Sequence, residues 1–283
     1  MKLTVVTAST DPIRAASCIL TWNDQPTIIV VNGRDYWVSE QAEQTEIQAT
    51  WLTEPAYLGS VSAFRRGVDW ALEHTEADII ACLHDDFEIH DQDWATKVLR
   101  HFARHPACGL LGFGGALGLG DEDLYQKPYN PMSLARKHFR SNLVDAEAHG
   151  IRSLLPERVA CLDGFSQIGR RGFWFGRQYV TDGKDRTGFT EQPNCVRQWT
   201  LLEDLGIRHH CYDSILGAIA KRYDWEVWYL PVAGKHHGGR TAVGDAGYQE
   251  WAKGQMPGGD QGFWEFAHKV CYQEFKDVLP IRI

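Results

Sequence analysis

The sequence predicts an α/β protein with a mainly parallel central sheet flanked by helices. Three observations carry that reading. Short β-branched or apolar runs alternate with helix-spaced segments from Met1 to Phe113, the pattern of successive βαβ units. The run Ile79-Ile80-Ala81-Cys82-Leu83 is apolar throughout, as a strand covered on both faces must be. Directly behind it the polarity reverses into His84, Asp85, Asp86 and Glu88, with Phe87 and Ile89 between them. In an open α/β sheet, ligands bind beyond the carboxyl ends of the strands. Carboxylates placed there are hard oxygen donors, suited to a divalent cation that also holds phosphate. A solvated acidic turn between strand and helix is the competing reading of the same residues.

The elements follow in order. Leu3-Thr4-Val5-Val6-Thr7 is a β-branched first strand. Thr10 or Asp11 caps a helix that has Pro12 at its first position and runs to about Trp22. Thr27 to Val31 is a second buried strand, closed by Asn32-Gly33. A right-handed βαβ unit puts the loops after both strands on one edge. A short strand is expected near Ile47–Trp51. Gly59 then opens a helix with Val61, Phe64, Val68, Ala71 and Leu72 at helical spacing and Arg65-Arg66 on its polar flank. Asp91 or Asp93 caps the helix carrying Trp94, Val98, Leu99 and Phe102. Cys108 to Phe113 is another strand.

Beyond Phe113 the alternation weakens. Gly114 to Pro131 reads as a long loop, of the kind that forms lids, and Met132 to Ala148 as a poorly amphipathic helix. Arg158 to Leu162 reads as a strand that leads into Asp163-Gly164-Phe165. Arg170-Arg171 is either a solvated pair or an acceptor contact, and Thr181 to Pro193 a mobile loop. Asp213 caps a helix over Ser214–Tyr223, followed by the strand Glu226 to Val232 and then Lys235-His236-His237-Gly238-Gly239. Two helical stretches in the tail flank a break at Met256-Pro257-Gly258-Gly259.

Bulk properties narrow the function classes. The length of 283 residues admits one large or two modest domains. A net charge of −8 argues against a generally basic nucleic-acid binder. The seven cysteines are odd in number and form no C-x-x-C pair. That fits a reducing compartment, with Cys18, Cys82 and Cys161 packed as small apolar groups. The first residues hold no signal-peptide core, and no run is long enough to span a bilayer, so the expected location is cytoplasmic. Of eleven Trp, ten Tyr and twelve Phe, much is core, and surplus Trp and Tyr suit the flat faces of sugars or bases.

The order of these signals resembles a family 2 glycosyltransferase with the GT-A fold. The likeness rests on Gly59 to Gly67, on His84-Asp85-Asp86 in the place of a D-x-D metal motif, on Leu162-Asp163-Gly164-Phe165, on Tyr212-Asp213 at a helix start, and on His236-His237 after the aromatic strand. It spans roughly residues 1–240. The implied layout is a nucleotide-binding half over 1–113, an acceptor half over 114–240, and a helical extension over 241–283.

The resemblance implies a transferase that moves a sugar from a nucleotide-diphosphate donor, most simply a UDP-sugar, to an acceptor hydroxyl with inversion. The acceptor is a glycan, a lipid-linked sugar, a protein or a hydroxymethylated DNA base. Mn²⁺ or Mg²⁺ would neutralise the leaving diphosphate, held by Asp86 and by His236 or His237; an imidazole ligand favours Mn²⁺. Thr7, Ala8, Ser9, Asn32, Arg65 and Asp85 are the expected nucleotide contacts, and Asp163, Gly164 and Phe165 the acceptor contacts. Asp213 is the expected general base, with Glu203-Asp204 as the alternative pair and a simple helix cap as its structural counterpart. Two other classes compete. A nucleotidyltransferase would carry a glycine-rich phosphate loop, which Ala8-Ser9-Thr10-Asp11 does not supply. A non-catalytic nucleotide-sugar binding module would account for the histidine replacing the first acid of the motif.

Overall fold

The apolar runs become strands because each can be covered on both faces. The computed structural model describes residues 1–22, 24–33, 45–120, 139–144, 150–181, 187–190, 196–238 and 246–283. In its first part, β1 (Leu3–Ser9), α1 (Pro12–Ile19), β2 (Thr27–Asn32), β3 (Thr50–Glu54), α2 (Gly59–His74), β4 (Ile79–Leu83), β5 (Phe87–Ile89), α3 (Trp94–Arg104) and β6 (Cys108–Gly112) follow in turn. The cap of α1 is Asp11, whose carboxylate accepts from Arg14 N at 3.2 Å. The helix stops at Ile19, before the expected Trp22. Trp22 is instead buried, and its indole N–H donates to the Phe87 carbonyl at 2.9 Å.

In the second part, β7 (Gly114–Ala116), β8 (Gly118–Leu119), β9 (Phe139–Ser141), β10 (Ile151–Arg152), β11 (Glu157–Val159), β12 (Cys161–Leu162) and β13 (Ser166–Arg170) precede α4 (Arg171–Trp174). The hairpin β14 (Gln178–Thr181) and β15 (Thr187–Thr190) leads to α5 (Gln198–Asp204), α6 (Tyr212–Arg222), β16 (Glu226–Tyr229) and β17 (Gly234–His236). The tail holds α7 (Ala246–Gln255), α8 (Asp260–Glu274) and β18 (Ile281–Arg282).

Among the described residues an eight-stranded sheet runs in the order β11-β16-β6-β13-β4-β1-β2-β3. β1 pairs in parallel with β2 and β4, β2 with β3, and β16 with β6. Only β13 and the edge strand β11 run the other way. Neighbouring residues of β1 face opposite sides, so Val6 joins the apolar cluster that contains α2 and α6 while Val5 joins the one that contains α1 and α3.

Several expectations are corrected. β13, at the centre of the sheet, was missed because Ser166-Gln167-Ile168-Gly169-Arg170 carries no continuous apolar run. Part of the helix expected over Met132–Ala148 is the strand β9, and the remainder lies mostly outside the described residues. Strands β14 and β15 occupy both described parts of the supposed loop Thr181–Pro193. Positions 121–131 of the other expected lid lie outside the described residues.

Arg170 and Arg171 are neither a solvated pair nor acceptor contacts. The Arg170 guanidinium donates to the carbonyls of Phe102, His105 and Cys108, and that of Arg171 to those of Leu72, Thr75 and Ala77. Each closes the carboxyl end of a helix, where backbone acceptors lack partners. No helix of the described residues is long and apolar enough to cross a membrane.

Candidate active site

Strand direction gathers the polar residues. β1, β2 and β4 are parallel, so Ser9, Asn32 and the turn after Leu83 reach one edge of the sheet. β13 is antiparallel to β4 and pairs Ser166 with Leu83. The residues just before it, Asp163 to Phe165, therefore stand at that same edge. The amide of His84 donates to the Phe165 carbonyl at 3.0 Å, which ties the two turns together. A cleft of about 400 Å³ opens there.

The chain that leaves β16 returns across this edge as β17, which pairs antiparallel with β5 and sets His236 opposite Phe87. The next amide, of His237, donates to the Asp86 carbonyl at 3.0 Å. Successive side chains of an extended strand point to opposite sides. His236 thus turns toward Asp86, with Nε2 3.2 Å from Oδ1. His237 turns the other way and meets Glu88 at 3.1 Å. Of the two histidines, only His236 joins the cluster.

The third member is His84, whose Nδ1 lies 3.9 Å from Asp86 Oδ1. One ligand atom from each of His84, Asp86 and His236 falls within 4.8 Å of the others, a spacing that admits a metal ion. Oδ1 of Asp86 is buried and accepts no hydrogen bond of good angle. A buried carboxylate oxygen in that state is costly unless something else, such as a cation, meets it. Burial works against ionising Asp86, yet the neighbouring imidazoles of His236 and His84 bring it down to about 2. Burial also lowers His84 to about 4, against the pull of Asp86, so its ring is neutral at pH 7, as a metal ligand must be. The residues present therefore fit a divalent cation, and two imidazoles beside one carboxylate suit Mn²⁺ better than Mg²⁺.

The remaining expected residues divide. Ala8, Ser9, Asn32 and Asp85 line the cleft. The Ser9 hydroxyl donates to Asp85 at 2.5 Å, and burial pushes Asp85 up to about 7 against that bond. Asn32 Oδ1 accepts from Leu58 N at 2.8 Å. Thr7 does not line the cleft. It is buried, and its hydroxyl donates to the Leu83 carbonyl at 2.7 Å, joining β1 to β4. Arg65 does not line it either; its guanidinium is paired with Glu203 and, at 3.4 Å, with Asp69. That pairing also engages one member of the alternative acid pair, and neither Glu203 nor Asp204 lines the cleft.

Asp163, Gly164 and Asp213 do line it. Phe165 lies beneath, 1% exposed, with its ring stacked 4.8 Å from that of His236. Asp213 sits inside the first turn of α6 rather than at its cap. The cap position is Cys211, with φ of +60°, and Asp213 accepts from the Ser214 amide at 2.8 Å. Burial, with Asp163 adding its charge, raises Asp213 to about 7. Gly238 follows β17, whereas Gly239 lies outside the described residues.

Other lining residues were not anticipated. Tyr57, Ser60, His209, His210, Asp260 and Trp264 are among them. His210 Nε2 lies 2.5 Å from Asp260 Oδ1, and the His210 ring stacks 4.5 Å from that of Trp264. The tail thus contributes to the cleft. Asp260 and Trp264 stand four residues apart, on one face of α8, and that spacing was the available signal.

No protein-family model matches the sequence, and no curated protein matches it. The topology is that of the GT-A fold. Among solved structures, glucosyl-3-phosphoglycerate synthase from Mycobacterium tuberculosis, in complex with phosphoglyceric acid, is 9% identical with a TM-score of 0.51. The match covers 97% of this chain and 80% of that one. The mannosyltransferase PcManGT from Pyrobaculum calidifontis, in complex with GDP-Man and Mn²⁺, is 14% identical with a TM-score of 0.43, covering 89% of this chain and 59% of that one. For residues 1–349 of S. aureus TarS the values are 10%, 0.42, 82% and 58%. This chain therefore spans less than two thirds of the latter two.

Proposed function

We propose that the protein is a metal-dependent glycosyltransferase that moves a sugar from a nucleotide-diphosphate donor, in the first instance a UDP-sugar, to an acceptor hydroxyl. One observation carries the reading: the His84, Asp86 and His236 cluster shares a single cleft with a pair of carboxylates, Asp163 and Asp213. Sugar transfer needs those two functions side by side, one at the leaving group and one at the attacking hydroxyl. The Mycobacterium tuberculosis synthase has also been solved with Mn²⁺ and uridine diphosphate.

In this reading Ala8, Ser9, Asn32 and Asp85 receive the nucleoside at the ends of β1, β2 and β4. His84, Asp86 and His236 hold the cation, which when bound neutralises the diphosphate as a Lewis acid. Asp213 takes the proton of the acceptor hydroxyl; a carboxylate raised to about 7 is matched to that work near neutral pH. Asp163 and Gly164 orient the acceptor, and the anomeric centre inverts. The wall bears Asp85, Asp86, Asp163, Asp213 and Asp260. That concentration of carboxylates favours a neutral glycan hydroxyl over polyanionic DNA as acceptor.

A thermal-shift panel of nucleotides and nucleotide sugars with Mn²⁺ or Mg²⁺ tests the reading. Stabilisation by UDP or a UDP-sugar only when Mn²⁺ is present is the expected result. Equal melting temperatures across the whole panel would remove the donor site.

A further inference from the structure

We propose that Tyr212 is a positioning residue that fixes the tautomer of His84, so that the ring turns an unprotonated Nδ1 toward Asp86 and His236. The inference rests on the reading of that cluster as a cation site. It begins with proton counting. The Tyr212 hydroxyl lies 2.7 Å from His84 Nε2 and 3.0 Å from the Gly164 carbonyl oxygen. A carbonyl can only accept, and a phenol has one proton to give. Both contacts are hydrogen bonds only when that proton goes to Gly164. The hydroxyl can then serve His84 only as an acceptor, so Nε2 carries the hydrogen. In a neutral imidazole the other nitrogen is then left with its lone pair. That nitrogen, Nδ1, is the one on the Asp86 side, 3.9 Å from Oδ1.

The surroundings hold the phenol in place. Tyr212 is 4% exposed. Its ring packs 5.5 Å from Trp199 and 6.3 Å from Phe64, measured between centroids. It is the first residue of α6, directly after Cys211, whose φ of +60° is uncommon for a side-chain-bearing residue. Strain of that kind persists only where the surrounding structure enforces it, and here it accompanies the inward turn of Tyr212. Gly164 meets the hydroxyl from the other side. A Cβ at that position would stand 2.9 Å from the Tyr212 oxygen, so an alanine there would have to displace the phenol from this contact.

The arrangement gives the histidine a role in the place of an acid. A carboxylate presents a lone pair in any rotamer, whereas an imidazole does so from one nitrogen only. A partner on the far nitrogen is the usual means of choosing which.

The test reads the tautomer directly. Long-range ¹H–¹⁵N spectra of the metal-free protein should show the His84 proton on Nε2. In Tyr212→Phe the signal should move toward the Nδ1-protonated form, and manganese affinity by calorimetry should fall by about tenfold or more. Gly164→Ala should change both readouts in the same direction. In a His84→Asp background no tautomer remains to be chosen, so adding Tyr212→Phe should leave manganese affinity nearly unchanged. A His84 proton found on Nδ1 in a wild-type protein that binds manganese overturns the Tyr212 assignment alone, even if Tyr212→Phe does not fold. An unchanged tautomer and affinity in folded Tyr212→Phe overturns it as well. A wild-type protein with no manganese affinity overturns the cation site itself.

Discussion

Nε2 of His236 stands 3.2 Å from Oδ1 of Asp86, two residues far apart in the chain that meet through the short ladder of β17 on β5. The same ladder sends His237 to the opposite side, against Glu88. His236→Ala should therefore weaken manganese binding by about tenfold or more, while His237→Ala should leave it close to wild type. Isothermal calorimetry separates the two. Equal losses would mean that the pairing of β17 differs from the one seen.

Asp213 predicts a pH dependence. As the base it must be ionised, so kcat/KM should rise with pH through about 7 and then level off. Stability should move the opposite way. The folded state holds this proton more tightly than the unfolded chain, whose carboxyl has the ordinary value of 3.8. The stabilisation is full below that value and is lost as pH rises through about 7. Asp213→Asn should abolish transfer, melt above wild type at alkaline pH, and show little difference in acid. A rate profile flat across neutral pH would reassign the base.

Arg65 is predicted to serve the fold, not the donor. It joins α2 to α5 through Glu203, and its side chain is 39% exposed. Arg65→Ala should cost about 1 kcal/mol in urea unfolding and leave Mn²⁺-dependent UDP affinity unchanged. A large loss of UDP affinity with unaltered stability would restore it to the nucleotide contacts.

The tail should be inseparable from the cleft. Gly59 has φ of +77°, and a Cβ there would meet the Arg208 carbonyl at 2.6 Å and Trp251 at 2.8 Å. Gly59→Ala should destabilise the protein by about 2 kcal/mol or more, through backbone strain and the displaced indole. Asp260→Ala, which releases His210, should weaken ligand binding at the cleft while manganese affinity stays near wild type. Melting curves and calorimetry check the pair. A neutral Gly59→Ala would show that α7 is held more loosely than its contacts indicate.

Much of the fold could be read from the chain because burial on both faces leaves a local mark. Ile79–Leu83 and residues 28–31 are apolar throughout and lie in buried strands, and α2 displays its apolar stripe without help. β13 left no such mark, with glycine and polar residues in a central strand. Site residues followed the same division. Ala8, Ser9, Asn32, Asp85 and Asp86 could be placed at the cleft because they follow predicted strands. His84 stood beside them, but its part depends on Tyr212 and His236, which reach it from elsewhere.

The sequence by itself determined the α/β alternation, the polar reversal after β4, and the carboxylates poised at that edge, since periodicity and polarity are properties of neighbouring residues. Only the tertiary structure decided that His236 rather than His237 faces Asp86, that Arg65 is engaged by Glu203, and that α8 walls the cleft with Asp260 and Trp264. Those outcomes depend on strand register and helix docking between distant segments, and no local pattern encodes which partner a side chain will meet.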